Sequence, residues 1–201
     1  SSDLDHPKTP EMLLAFGEAI NTLQGRYYGG EDMGITADDL AIMRTVTPFV
    51  VGLTQIGSSG DPSTFTARGG YRGIQSVCQQ LWGSPSVKGK KIAVQGLGSV
   101  GMKLIQHLFW EGAEIFVTDI NPLLIEEAVV HWGATEIAPE KIYEVECDIF
   151  SPCAIGGILS EKTIPLLSCS AVAGVANNQL LSDQDGTKLM ERGILYAPDF
   201  V

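Results

Sequence analysis

The chain has 201 residues, 44% of them hydrophobic, which is enough for one large α/β domain or for one domain and part of another. Its formal net charge of -11 sets an acidic surface against phosphate backbones and anionic lipid, so neither nucleic acid nor a membrane is expected as a partner. No apolar run approaches the roughly 20 residues that a membrane helix needs, and residues 1–6 lack the basic region and apolar core of a signal peptide.

In chain order, residues 10–24 read as a helix. Pro10 suits a first helical position, Leu13, Leu14, Ile20 and Leu23 share a face, and Gly25 is a stop signal. The stretch Tyr27-Tyr28-Gly29-Gly30-Glu31-Asp32-Met33-Gly34 is a loop, with glycines on both sides of an acidic pair. Thr36 followed by Asp39 matches a capping pattern with Asp in place of Glu, and predicts a helix to about Val46. Residues 56–63 form the clearest linker, and a helix over 64–82 follows.

From Lys90 onward the pattern alternates. A strand is predicted over 91–95, a helix over 99–111, a strand over 114–118 and a helix over 122–132. Short strands fit near 147–150 and 171–173, with helices between and after. Strands separated by helices of this length imply a Rossmann-like α/β fold, a doubly wound and mainly parallel sheet with helices on both faces.

The cysteines Cys78, Cys147, Cys153 and Cys169 form no Cys-x-x-Cys pair, and His6, His107 and His131 do not cluster. No metal site is expected; four reduced thiols in a cytoplasmic protein, some of them buried, is the plain reading.

The segment Gly96-Leu97-Gly98-Ser99-Val100-Gly101 follows the apolar strand Ile92-Ala93-Val94 and opens the next helix. A lone Gly-x-Gly-x-x-Gly is weak, but here each glycine has a task. Gly96 permits the tight turn, Gly98 lets the backbone approach a pyrophosphate, and Gly101 lets helix and strand pack closely. The helix N-terminus offers free N–H groups and the positive end of its dipole. Asp119 closes the next strand, where a carboxylate accepts hydrogen bonds from the adenosine ribose and repels a 2′-phosphate. Ile120, Asn121 and Pro122 supply no cation to hold that phosphate, so NAD is expected in preference to NADP. The plainer alternative makes the glycines a simple turn and Asp119 a cap for the following helix.

A set of segments now acquires a common meaning: Gly25-Arg26-Tyr27-Tyr28, Glu31-Asp32-Met33-Gly34, residues 92–98 (IAVQGLG), Val117-Thr118-Asp119-Ile120-Asn121, residues 147–154 (CDIFSPCA), Ala176-Asn177-Asn178-Gln179-Leu180 and Tyr196-Ala197-Pro198-Asp199. Together they resemble the leucine/phenylalanine/valine branch of the amino-acid dehydrogenase family, over nearly the whole chain. The resemblance implies reversible, NAD-dependent oxidative deamination of an L-amino acid to a 2-oxo acid and ammonia, in a cleft between two domains.

The resemblance also implies roles. Asp32 matches the acid that assists proton transfer at the substrate. Thr66 matches a threonine near the nicotinamide, although a helix N-cap is its plainer reading. Gly96, Leu97, Gly98, Ser99, Val100, Gly101, Asp119 and Ile120 match the phosphate and ribose contacts. Cys153 and Ala154 match a loop beside the cofactor, with Cys153 lining the site and not acting as a nucleophile. Asn177 and Asn178 match an asparagine pair facing the nicotinamide ribose and the substrate. Gly30 matches a position lining the side-chain pocket, where a glycine leaves room for a bulky group and favours leucine or phenylalanine over valine.

In domain terms, residues 1–47 read as the end of the substrate-binding domain and 48–201 as the NAD-binding domain. The family's catalytic lysine and its carboxylate-gripping lysine match no segment here, so the chain is expected to be part of a longer enzyme, to bind NAD, and to be inactive alone. The complete enzyme is expected to be a homo-oligomer acting on a small amino acid. Two alternatives stand beside this reading: a non-catalytic NAD-binding module, and another Rossmann enzyme such as a user of S-adenosylmethionine. The full glycine pattern favours a pyrophosphate over the latter.

Overall fold

The computed structural model describes residues 8–32, 34–53 and 60–200; the leader reading at residues 1–6, Met33 of the acidic loop and residues 56–59 of the linker lie outside them. The chain forms two compact units, Ser1–Pro62 and Ser63–Val201. The division falls in the linker region instead of after Thr47, because Val50 pairs with Gly29 and the Val51 N–H donates to the Gly29 carbonyl at 2.9 Å, tying this stretch to the first unit.

In the first unit, α1 (Pro10–Thr22) starts at Thr9, whose hydroxyl accepts the Met12 N–H, and α2 (Ala37–Arg44) starts at Thr36. Asp39 returns the Thr36 cap at 2.7 Å, so the Thr–Asp pattern is a complete capping box. Leu13, Leu40, Met43, Val50 and Leu53 form a small core. Gly17 allows the two helices to meet: a Cβ there would lie 2.7 Å from Val46 and 3.1 Å from the Met43 carbonyl oxygen.

The second unit bears out the predicted fold class. Its six strands are β1 (Lys91–Gln95), β2 (Glu114–Thr118), β3 (Thr135–Glu136), β4 (Ile149–Pro152), β5 (Ala171–Ala173) and β6 (Leu195–Ala197). They pair in parallel in the order β3-β2-β1-β4-β5-β6, the order of a dinucleotide-binding sheet. The remaining helices are α3 (Ser63–Trp82), α4 (Ser99–Trp110), α5 (Pro122–Trp132) and α6 (Asp183–Glu191).

Side chains alternate across the sheet as the period of two requires. Ile92, Val94, Ile115, Val117, Ile149, Ala171 and Ala173 share one core with Ala67, Ile74, Leu104, Ile105 and Leu108 of α3 and α4. Ala93, Phe150 and Val172 share the other with Ile142, Ile164 and Leu189. Both faces of the central strands are therefore covered, which is why those strands read as nearly unbroken apolar runs.

Candidate nucleotide-binding site

The sheet reverses its winding between β1 and β4, and in open α/β sheets ligands bind outside the carboxyl ends of the strands at such a point. Three predicted elements meet there. β1 ends at Gln95, Gly96 turns the chain with φ +99°, and α4 begins at Ser99 with Gly98 as its N-cap.

The glycines divide into two kinds. A Cβ on Gly96 would fall 2.7–2.9 Å from Ala154, and one on Gly101 would fall 2.0 Å from the Gly96 carbonyl oxygen. These two positions are closed by packing. A Cβ on Gly98 would meet nothing within 4 Å, and the residue is exposed. Gly98 and Ser99 therefore bound a cradle in front of the α4 N-terminus, which no side chain caps. Its first amides are left for an anion. Val100 packs partly on the core, and the Leu97 side chain is fully buried, so Leu97 offers the site only backbone.

Asp119 stands at the end of β2. Its Oδ2 accepts the Leu97 N–H at 2.6 Å and its Oδ1 accepts the Asn121 N–H at 2.8 Å. It therefore locks the glycine turn to the neighbouring strand. It does not cap α5: Asn121 is that N-cap, taking the Leu123 N–H at 3.0 Å. Each carboxylate oxygen keeps acceptor capacity for a further hydroxyl. Ile120, beside it, is 97% exposed and presents a bare apolar face.

Across the switch point, the Cys153 N–H donates to the Gln95 carbonyl at 2.7 Å, extending β4 past Pro152. Cys153 Sγ lies 3.7 Å from the Ser151 hydroxyl, and burial pushes the thiol up to about 11. A thiol that holds its proton so firmly is a poor nucleophile at neutral pH, in keeping with a lining role.

Farther along the same edge, Thr66, Gly69 and Gly70 of α3 line a cavity of about 200 Å³ with Gly174, Asn177 and Asp199. Thr66 sits inside the first turns of α3, which begins at Ser63, so it is not the helix N-cap. Asn178 adopts φ +51°, its N–H donates to Asp199 Oδ2 at 3.3 Å, and its carbonyl accepts the Gly157 N–H at 2.8 Å. Gly156 makes this fit possible: a Cβ there would lie 2.4 Å from the Asn177 carbonyl oxygen.

Gly69, Gly70, Gly156 and Asp199 carry no site role in the sequence reading. The signal available was the pair Gly69-Gly70 inside a helix, where each glycine costs roughly 1 kcal/mol and so marks a close approach. A Cβ on Gly70 would meet Val175 at 2.3 Å, and one on Gly174 would meet the Pro152 carbonyl oxygen at 2.2 Å.

Asp32 and Gly30 lie in the first unit. Asp32 is exposed and pairs backbone to backbone with Ile35, the Ile35 N–H donating at 2.8 Å. A Cβ on Gly30 would be in ordinary contact with Val51 at 3.6 Å.

A parallel sheet in this order, with a glycine turn, an uncapped helix N-terminus and an acid at the end of β2, is the architecture of Rossmann-type dinucleotide-binding domains. Comparison with known proteins finds similar chains. Residues 124–201 match the model of glutamate/leucine/phenylalanine/valine dehydrogenases. Leucine dehydrogenase of Thermoactinomyces intermedius is 47% identical over 195 residues, 96% of this chain and 53% of that enzyme. Phenylalanine dehydrogenase of Caldalkalibacillus thermarum is 44% identical over 200 residues, 96% of this chain and 54% of that enzyme. The crystal structure of L-tryptophan dehydrogenase from Nostoc punctiforme superposes with a TM-score of 0.73 at 41% identity, covering 96% of this chain and 55% of that one. The chain is similar to these dehydrogenases over nearly its whole length, and it spans about half the length of the curated relatives it matches.

Proposed function

We propose that this chain is the NAD-binding part of an amino-acid dehydrogenase that reversibly deaminates a branched-chain or aromatic L-amino acid, leucine first, to the 2-oxo acid and ammonia. The observation that carries the proposal is the open, uncapped cradle at Gly98, held against β2 by the hydrogen bond from Leu97 to Asp119.

The residues present fit a dinucleotide. The α4 N-terminus with Gly98 and Ser99 would hold the pyrophosphate, Asp119 the adenosine ribose, and exposed Ile120 one face of the adenine. Cys153 and Ala154 would flank the cofactor; Thr66, Asn177 and Asn178 would hold its nicotinamide end, where the cavity with Gly69 and Gly70 offers room. When bound, the nicotinamide supplies the two-electron acceptor for the substrate α-carbon. The chain's own share is to orient the reactants and exclude water. In the complete enzyme, Asp32 would take and return a proton at the substrate amino group.

Leucine is favoured because a glycine at position 30 leaves space for a bulky side chain and because the leucine dehydrogenase above is 47% identical. The unit Ser1–Pro62 would belong to the substrate-binding domain of the complete enzyme, which we take to be a cytoplasmic homo-oligomer. The four free thiols of this chain suit a reducing compartment. Assay of the complete natural polypeptide with NAD and a panel of L-amino acids tests this reading. NADH formation with leucine at the highest kcat/KM is expected. A folded enzyme that binds NAD and oxidises no amino acid would favour the non-catalytic module instead.

Asp119 makes a separate prediction. Asp119→Ser removes the carboxylate from the ribose and relieves its repulsion of a 2′-phosphate. NAD should bind roughly tenfold more weakly, about 1.4 kcal/mol, while NADP changes little. Unchanged NAD affinity in the folded variant would move the ribose elsewhere.

A further inference from the structure

Of the four free cysteines, two lie side by side at the end of the sheet opposite the nucleotide site. Ile149 of β4 is in register with Ala171 of β5, and Glu146 bridges Ser168 in parallel. The same offset puts Cys147 directly opposite Cys169, and the Cys147 N–H donates to the Ser168 carbonyl at 3.0 Å. Register-matched residues on adjacent parallel strands project to the same face, with Cα atoms about 4.8 Å apart, inside the roughly 4.4–6.8 Å span that a disulfide bridges. Both cysteines are partly exposed, and both pack on the edge of the core that holds Phe150 and Ile164. The other two are unlike them: Cys78 is fully buried, and Cys153 is held beside Ser151.

We propose that Cys147 and Cys169 form a redox-active dithiol, a modification site that closes reversibly to a disulfide on exposure to a hydroperoxide. Cys169 is the attacking sulfur. Its thiol is held below the ordinary cysteine range, chiefly by the neighbouring Cys147 thiol, and the Arg192 guanidinium adds to the effect. Arg192 is fixed there by donating to the carbonyls of Ile164 and Leu167, the latter at 2.9 Å. Cys147 shifts the other way, chiefly through the neighbouring Cys169 thiol, with burial and the neighbouring Asp148 adding to it. The pair thus ionises first at Cys169.

In the first step the Cys169 thiolate attacks the peroxide. One S–O bond forms, the O–O bond breaks, and the leaving alkoxide or hydroxide takes up a proton from water, giving a sulfenic acid and an alcohol or water. In the second step the Cys147 sulfur attacks the sulfenic sulfur. The S–S bond forms, the S–O bond breaks, and hydroxide leaves as water with the Cys147 proton. Two thiols are oxidised and one peroxide is reduced. A small thiol reductant reverses the change by exchange. The disulfide would staple β4 to β5 at their amino ends, and these strands carry Cys153-Ala154 and Gly174–Asn178 at their other ends.

The test treats the purified chain at neutral pH with a small excess of hydrogen peroxide, then blocks the remaining thiols and measures intact and peptide masses. Four titratable thiols should fall to two, and dithiothreitol should restore four. Trypsin leaves Cys147 and Cys153 on one peptide and Asp-N leaves Cys153 and Cys169 on one, so a digest with both enzymes, which cuts before Asp148 and after Lys162, assigns the bridge to Cys147 and Cys169. In Cys147→Ser the resolving sulfur is gone, and a sulfenic acid should be trapped by dimedone on Cys169. In Cys169→Ser, thiol loss should slow at least about tenfold. Four thiols persisting in the folded chain would overturn the proposal. So would a bridge that includes Cys78 or Cys153, or dimedone trapping at any other cysteine.

Discussion

Gly98→Val should leave a folded protein that no longer binds NAD, while Gly101→Val should damage the fold itself. The two glycines are neighbours in one motif and differ in what surrounds them. At Gly98 the backbone is extended, with φ -61° and ψ -167°, and a Cβ would meet no atom within 4 Å. A valine fits there without strain, so thermal unfolding should change little. Its methyls would occupy the space in front of the α4 amides, where a pyrophosphate must come into hydrogen-bonding contact. We expect at least a 100-fold loss of NAD affinity, about 2.8 kcal/mol.

At Gly101 a Cβ would lie 2.0 Å from the Gly96 carbonyl oxygen and 3.4 Å from Cys153. Neither the turn nor β1 can retreat, because Gly96 is itself pressed against Ala154 and its N–H donates to the Thr118 carbonyl at 2.9 Å. Overpacking of this kind costs about 3 kcal/mol or more. Denaturant melts of the two variants, read beside NAD titrations, separate the effects. Equal destabilisation by both, or intact NAD affinity in Gly98→Val, would mean that the cradle is not the phosphate site.

Asp32→Asn, made in the complete enzyme, should lower kcat by roughly 10²- to 10⁴-fold, the usual value of a general acid–base group. Asparagine keeps the size and polarity of the side chain and leaves the backbone pairing with Ile35 in place. The acid sits on a loop of the first unit, whereas every proposed phosphate and ribose contact lies in the second. NAD affinity should therefore change less than twofold to threefold. A variant with near-normal turnover would reduce Asp32 to a structural loop residue; a variant that loses NAD binding would place it in the cofactor site.

Much of this was legible because the second unit obeys local rules. β1, β2, α5 and β5 were predicted with the boundaries found, since each is bounded by a glycine, a proline cap or a change of period. β4 was predicted two residues early. Asp148 looked like part of a strand, but its Oδ2 takes the Lys91 N–H at 2.8 Å at the edge of the sheet, and the strand runs on to Pro152. Proline normally argues against a central strand. Here its carbonyl accepts the Val175 and Ala176 N–H groups at 2.9 Å, which binds the end of β4 to the segment after β5. β3 and β6 were missed because they are two and three residues long and no residue in either is fully buried, so they carry no periodicity.

The site was legible where chemistry is written in residue type, as at Gly96, Gly98, Gly101 and Asp119. It was illegible where it depends on tertiary approach. Nothing local announces that Gly156 must admit the Asn177 carbonyl, or that Asp199 holds the Asn178 amide. The same holds for Cys147 and Cys169, whose pairing follows from sheet register.

The most direct measurement is calorimetric titration of this 201-residue chain with NAD and, separately, with NADP. Asp119 at the ribose, with no cation among Ile120, Asn121 and Pro122, predicts saturable NAD binding that is at least tenfold tighter than NADP binding, about 1.4 kcal/mol. A folded chain that binds neither dinucleotide, or binds both equally, would contradict the account.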